Sequence, residues 1–341
     1  MSLKHTINLI RVLSLSLCLA LAAGFSAAAE PQIWFSVPPS KEYMKLFSSD
    51  AEWPQSLRHI GVFELSTQFA STTGDRTLNT IFAFLQQKHI ALALEVPIQT
   101  PGPGNCGAGI EGYRPPDVVK TLIARFRSLG ANLQYVSMDE PFWFGHLFNG
   151  EKRGSSAPCR AEINDIARNV ANNVAVIRSS YPNVAIGEDE PLPNPYRHAE
   201  VPPDLVDQMQ RWMDAFARTT GQPLAFIHFD IGWFPGESPA DDAKNHSHWV
   251  SELARAQEAA KAHHIRSGIY YNGNPQDADG TAWVSHAIER YKEVEGQDHL
   301  QFDDVIFQTW MRQPELLLPE TAPGTMTNLV FSYLKFKGSA E

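Results

Sequence analysis

The chain has 341 residues, of which 28 are Lys or Arg and 38 are Asp or Glu, for a net charge of −10. That balance disfavours nucleic acid and anionic lipid as partners, because phosphate groups are repelled rather than neutralised. The length exceeds that of a single sandwich and suits one large α/β barrel, with 43% hydrophobic residues to fill it.

Lys4 and Arg11 flank the start of an apolar run from Val12 to Ala22, and small residues follow as far as Ala27-Ala28-Ala29-Glu30. This is the pattern of a secretory signal, so residues 1–29 are expected to be removed and residues 30–341 to form one domain, secreted or periplasmic. The apolar run is too short for a spanning helix and no later stretch is long enough, so no membrane span is expected. Removal takes away two of the 28 basic residues and none of the 38 acidic ones, which leaves the exported chain more acidic still. Cys106 and Cys159 remain, and an oxidising compartment allows them to form a disulfide.

Taken in order, Ile33-Trp34-Phe35-Ser36-Val37 reads as a first strand stopped by Pro38-Pro39, and Ile60 to Leu65 as a second. Helical spacing from Leu78 to Lys88 leads into a third strand, Ile90 to Val96. A loop rich in Gly and Pro runs from Pro101 to Pro116, before a helix over Asp117 to Leu129 that Gly130 ends. The fourth strand is Leu133 to Met138, followed by an aromatic loop and a helix over Glu162 to Ser179. A fifth strand begins at Val184 to Gly187, a helix spans Leu205 to Arg218, and Leu224 to Asp230 is the sixth strand. Trp249 to His263 is helical, Arg266 to Tyr271 the seventh strand, Trp283 to Val294 a helix, Asp304 to Thr309 the eighth strand and Thr325 to Lys335 a closing helix. The strands number eight and helical segments fall in nearly every interval between them, as in parallel βαβ units, so the expected fold is α/β, a (β/α)8 TIM barrel. No Gly-rich dinucleotide fingerprint follows the first strand, which counts against an open doubly wound sheet and calls for no cofactor.

In such a barrel the C-terminal ends of the strands converge on one mouth. On this register the mouth receives Glu64, Glu95, Asp139, Glu140, Glu188, Glu190, His228, Asp230, Tyr271, Asn272, Gln308 and Trp310. The tripeptide Asp-Glu-Pro occurs at two strand ends, Asp139-Glu140-Pro141 and Asp189-Glu190-Pro191. Side chains alternate along a strand, so one member of each acidic doublet must point away. Like charges this crowded raise at least one pKa, and a pair of carboxyls, one protonated and one ionised, is what hydrolysis of a glycosidic bond requires. Trp143, Trp233, Tyr271 and Trp310 offer faces for sugar rings, while Asn272, Gln308 and His228 can bond hydroxyls.

With these residues in place the chain resembles the TIM-barrel glycoside hydrolases, above all the large clan whose fourth strand ends in Asn-Glu-Pro with that Glu as general acid/base. The resemblance implies that role for Glu140 and makes Trp310 a sugar platform. That clan carries its nucleophilic glutamate at the end of strand seven, where this chain has Gly268-Ile269-Tyr270-Tyr271-Asn272-Gly273 and no carboxylate. The partner must then be Glu190, favoured by the repeated tripeptide, or Asp230. Glu64, Glu95, Asp139, Glu188 and Asp230 are expected to tune charge or hold a carbohydrate substrate. Two other readings stand beside this one, a non-catalytic carbohydrate-binding barrel of the cell envelope and a hydrolase dependent on a divalent metal held by His228, Asp230 and nearby glutamates. No His-Glu-x-x-His pattern supports the second, and the absence of a G-x-S-x-G elbow disfavours a nucleophilic serine. The sequence carries no sign of the oligomeric state.

Overall fold

The computed structural model describes residues 30–150, 157–192, 202–231 and 239–340, with residues 239–247 described through their backbone alone. The expected signal segment therefore lies outside the described residues, and so does Trp233. Eight parallel strands follow one another around a closed barrel: β1 Gln32–Ser36, β2 Ile60–Ser66, β3 Ala91–Val96, β4 Leu133–Asp139, β5 Ala185–Leu192, β6 Phe226–Ile231, β7 Arg266–Tyr270 and β8 Asp304–Gln308. Pairing of β1 with β8, Gln32 beside Asp304 through Ser36 beside Gln308, closes the ring. The principal helices are α1 Asp75–Lys88, α2 Pro116–Ser128, α3 Ile163–Ser180, α4 Leu205–Thr220, α5 Pro239–Ala262, α6 Gly280–Tyr291 and α7 Met326–Lys337. Every crossover from β2 to β8 thus carries one of them, which is the βαβ alternation the sequence predicts, and the open doubly wound sheet is excluded by closure. Among the described residues no helix is long and apolar enough to cross a membrane.

Local chemistry sets the ends of these elements. α2 opens on Pro116, whose missing N–H would be unbonded there anyway, and closes with Arg125 and Arg127 near its negative end. Asp279 accepts from the N–H of Ala282 to start α6, and Thr325 from that of Asn328 to start α7. Gly221 and Gly338 end α4 and α7 in the left-handed conformation that glycine adopts without penalty.

Two apolar layers hold the barrel. The outer one lies between strands and helices and includes Phe35, Phe63, Val136, Ile186, Leu192, Trp212 and Leu329. The inner one fills the lower half of the barrel with Trp34, Val62, Ala93, Phe226, Tyr270 and Ile306. Phe226 crosses this interior, its ring centroid 5.1 Å from Trp34 and 4.5 Å from His228. Only a glycine on the neighbouring strand leaves room, since a Cβ at Gly187 would lie 2.4 Å from both the ring and the carbonyl oxygen of Phe226. Gly187→Ala is therefore expected to destabilise the fold by ~1–3 kcal/mol, the usual range for overpacking a full core, read as a lowered denaturant midpoint at unchanged slope. A variant as stable as the parent would show that the interior yields.

Candidate active site

One inward side chain from each strand meets at the C-terminal end of the barrel: Ser36, Ser66, Glu95, Asp139, Asp189, Asp230, Tyr270 and Gln308, in order from β1 to β8. They form the floor and wall of a cavity of about 430 Å³, to which the loops add Val37 to Pro39, Thr67, Gln68, Glu111, Arg114, Glu140 and Trp310. The ring follows from the pleat: in β2, Val62, Glu64 and Ser66 share one face, and in β4, Tyr135, Ser137 and Asp139 do. The loop after β3, which carries Glu111 and Arg114, is tied to the segment before α3 by the Cys106–Cys159 disulfide and by the N–H of Gly107 donating to the carbonyl of Ala157.

The two Asp-Glu-Pro copies behave differently. At the first, Asp139 points inward, and strict alternation would send Glu140 outward to the helices. Instead Glu140 has a left-handed backbone, φ 45°, which turns its side chain back into the cavity. Its N–H donates to the carbonyl of Asp189 and its own carbonyl accepts from Phe144, so the turn is held from both sides. A non-glycine residue in that region is strained, and such strain collects at working sites. At the second copy β5 stays regular. Asp189 points inward and Glu190 outward, where its carboxylate accepts from the N–H of Phe142 at 2.7 Å and of Trp143 at 3.0 Å. Glu190 thus bears on the residues that follow Glu140 and does not line the cavity.

Electrostatics separates the acids of the cavity. Burial, then the charges of Glu111 and Asp189, push Asp139 up to about 7, while Arg114 and the N–H of Gly112 pull it back. Burial and Asp189 push Asp230 up to about 7 against a hydrogen bond from Asn272. Burial, with Asp139 and Asp230 next, holds Glu140 well above the usual glutamate range, and burial with Asp139 and Asp189 does the same for Glu95. Asp189 accepts from the Ser137 hydroxyl at 2.8 Å and from Tyr270. Below it His228 sits buried between Asp189 at 3.5 Å and Asp304 at 3.4 Å, and Arg266 and Trp34 donate to Asp304 from the far side.

Of the residues expected at the mouth, Glu95, Asp139, Glu140, Asp230, Gln308 and Trp310 line the cavity, with Trp310 60% exposed at its rim. Others are elsewhere. Glu188, on the outer face of β5, accepts from Trp212 of α4 through both oxygens at 2.8 and 2.9 Å. Tyr271 faces outward as well and donates to Glu295. Glu64 and His228 sit one layer below the floor, Asn272 is spent on Asp230, and Trp143 packs beside Ile110, Tyr113 and Phe144. The corrections to Glu188, Glu190 and Tyr271 share one cause, a parity error of one residue. Ile186 and Leu192 occupy the helix-facing side of β5 together with Glu188 and Glu190, and Ile269 does so in β7 with Tyr271. Those apolar residues were the available signal for Asp189 and Tyr270, which the sequence reading missed. Glu111 and Arg114 come from a loop and had no strand pattern to mark them. Among the described residues no three His, Cys, Asp or Glu side chains gather as ligands of a metal ion.

No protein-family model matches the chain, and no curated protein is significantly similar to it. Solved structures are similar in fold. The GH5_18 protein from Streptomyces cattleya, in complex with GlcNAc, is 11% identical over 92% of this chain and 82% of its own, with a TM-score of 0.51. The Thermotoga maritima β-glucosidase is 10% identical over 93% and 99%, at 0.46, and an HpcH/HpaI aldolase/citrate lyase family protein from Burkholderia cenocepacia is 14% identical over 86% and 92%, at 0.37. At 11% identity the likeness to the GH5_18 protein shows the fold alone, the (β/α)8 barrel that the strand order already gives.

Proposed function

We propose that this barrel is a glycoside hydrolase acting on an oligo- or polysaccharide, with Glu140 as general acid and Asp230 as base or nucleophile. The observation that carries the reading is the left-handed turn at Glu140, which brings a second carboxyl from the end of β4 into a cavity already ringed by acids. Burial favours the protonated form of Glu140, the form that can give its proton to the leaving oxygen of a glycosidic bond. Asp230 lies two strands further round the ring, braced by Asn272, and its charge is felt at Glu140. The ionised Asp230 would attack the anomeric carbon or take a proton from the water that does. Trp310 at the rim supplies a face on which a sugar ring can stack. Export to a secreted or periplasmic location is part of the same reading, and the disulfide supports it.

The test is release of reducing ends from a panel of plant, fungal and bacterial polysaccharides, followed by the pH dependence of kcat/KM on the best substrate. Asp230 must lose its proton to act, so the rate should rise with pH through about 7. Glu140 must keep its proton, so the rate should fall again on the alkaline side. Asp230→Asn should remove the rising limb together with most of the rate. Binding without release of reducing ends from any glycan would leave the envelope-binding alternative in its place.

A further inference from the structure

His228 has no part in the chemistry assigned so far, yet the barrel interior makes room for it from every side. It is fully buried, one layer below the cavity floor. Its Nδ1 lies 3.5 Å from an oxygen of Asp189 on β5, and its Nε2 lies 3.4 Å from an oxygen of Asp304 on β8. Beside it on β7 stands Gly268, where a Cβ would come within 2.5 Å of the imidazole. Phe226 stacks on the ring with centroids 4.5 Å apart, while Trp34 at 4.7 Å and Tyr270 at 6.2 Å meet it edge-on. Arg266 and Trp34 donate to the other oxygen of Asp304. A column of alternating charge thus runs from Arg266 through Asp304 and His228 to Asp189, which lines the cavity.

A neutral imidazole carries one N–H, so its bare nitrogen would face a carboxylate oxygen, lone pair against lone pair. The doubly protonated ring offers a donor to each carboxylate, and the face of Phe226 favours its charge. Burial works against that proton, but the hydrogen bonds and charges of Asp189 and Asp304 outweigh it and raise His228 above the ordinary histidine value. We infer that His228 is a positioning residue: as an imidazolium carried by Asp304, it holds Asp189 as a carboxylate in the cavity floor, where the anion steadies the positive charge that a sugar ring develops during hydrolysis. The place suits that task, because β5 runs between β4, which ends at Glu140, and β6, which carries Asp230. Ser137 and Tyr270 donate to the same carboxylate and fix its direction. The role in hydrolysis rests on the glycosidase reading, whereas the charged pair beneath the floor does not.

The test has two arms, both on the full chain. In the first, nitrogen NMR of the imidazole, assigned by its loss in His228→Gln, should find both ring nitrogens of His228 protonated at neutral pH. Asp304→Asn, which removes the carboxylate beneath, should let that proton leave at lower pH. The second arm is kinetic, on the best glycan. Asp189→Asn should lower kcat by about 10²-fold with KM changed less, and should move the rising limb of the pH profile to lower pH, since the charge of Asp189 helps to push Asp230 up. With no cation beneath it, a buried carboxylate takes up a proton, so His228→Gln should change the rate and the limb in the same directions. The double variant should then be no worse than Asp189→Asn alone. Should His228→Gln fail to fold, Asp304→Asn is read by the same two measures. A limb that stays in place or moves to higher pH would overturn the inference, as would losses that add in the double variant. If glycan is cleaved while His228 has one bare nitrogen at neutral pH, the inference falls and the glycosidase reading survives. If His228 is doubly protonated and nothing is cleaved, the glycosidase reading falls and the charged pair survives.

Discussion

Glu140→Gln is expected to lower kcat on a glycan substrate by about 10²- to 10⁴-fold, the usual worth of a positioned general acid, while leaving the melting temperature no lower than that of the parent. Glutamine has the same shape and keeps the left-handed backbone that Glu140 adopts at φ 45°, but it has no proton to give to the leaving oxygen. The loss should depend on the leaving group. An aryl glycoside that departs as a stable phenolate needs little protonation, so the variant should retain far more of its rate on that substrate. The alkaline limb of the pH profile should also disappear, because the group that titrates there is gone. A variant with full activity on glycan would show that the acid is another residue, and Asp139 beside it would be the first to examine.

Glu190→Ala is expected to cost both stability and rate, for a reason different from the loss of a nucleophile. Glu190 is 1% exposed, and its two oxygens accept the N–H groups of Phe142 and Trp143. Alanine would leave those donors buried without partners, at about 1–3 kcal/mol for each, which should appear in chemical denaturation. The same two bonds fix the chain immediately after Glu140-Pro141, so kcat should fall with the turn loosened while KM changes less. Glu190→Gln, which keeps one acceptor oxygen, should recover part of both losses. The rising limb of the pH profile should stay where it is, and the alkaline limb should move only a little to lower pH, because the charge of Glu190 is the last of the influences that hold Glu140 up, as befits a residue that positions the acid without titrating in the reaction. Were Glu190 the nucleophile, glutamine would be as inactive as alanine and a small anion such as azide would restore turnover.

Much of this architecture is written in local sequence. Ile60-Gly61-Val62-Phe63-Glu64-Leu65 reads as a buried strand, Asp117 to Leu129 is helical by spacing and by the Gly130 that ends it, and eight strands with helices in nearly every interval leave the barrel as the economical closure. The acids at successive strand ends, the aromatic rim residue Trp310 and the pairing of Cys106 with Cys159 could likewise be read from position along the chain, and the structure brings the first to one mouth and joins the last. Such features depend on neighbours within a few residues, or on a rule that holds for every barrel.

What the tertiary structure decided is which way each acid faces. In a closed parallel barrel both faces of a strand are buried, one against helices and one within the ring, so the usual apolar and polar alternation that reveals a strand's inner side is lost. Ile186-Gly187-Glu188-Asp189-Glu190 illustrates this: Glu188 and Glu190 look like the site, but Trp212 and the backbone after Glu140 claim them, and Asp189 is the residue that enters the cavity. Tyr271 gives way to Tyr270 for the same reason. Glu140 escapes the alternation altogether because its backbone turns left-handed, a choice fixed by bonds to Asp189 and Phe144. Sequence alone thus determined the barrel and the end at which its acids lie. Only the closed ring, by giving each side chain a helix or a lumen to face, determined which of those acids meet.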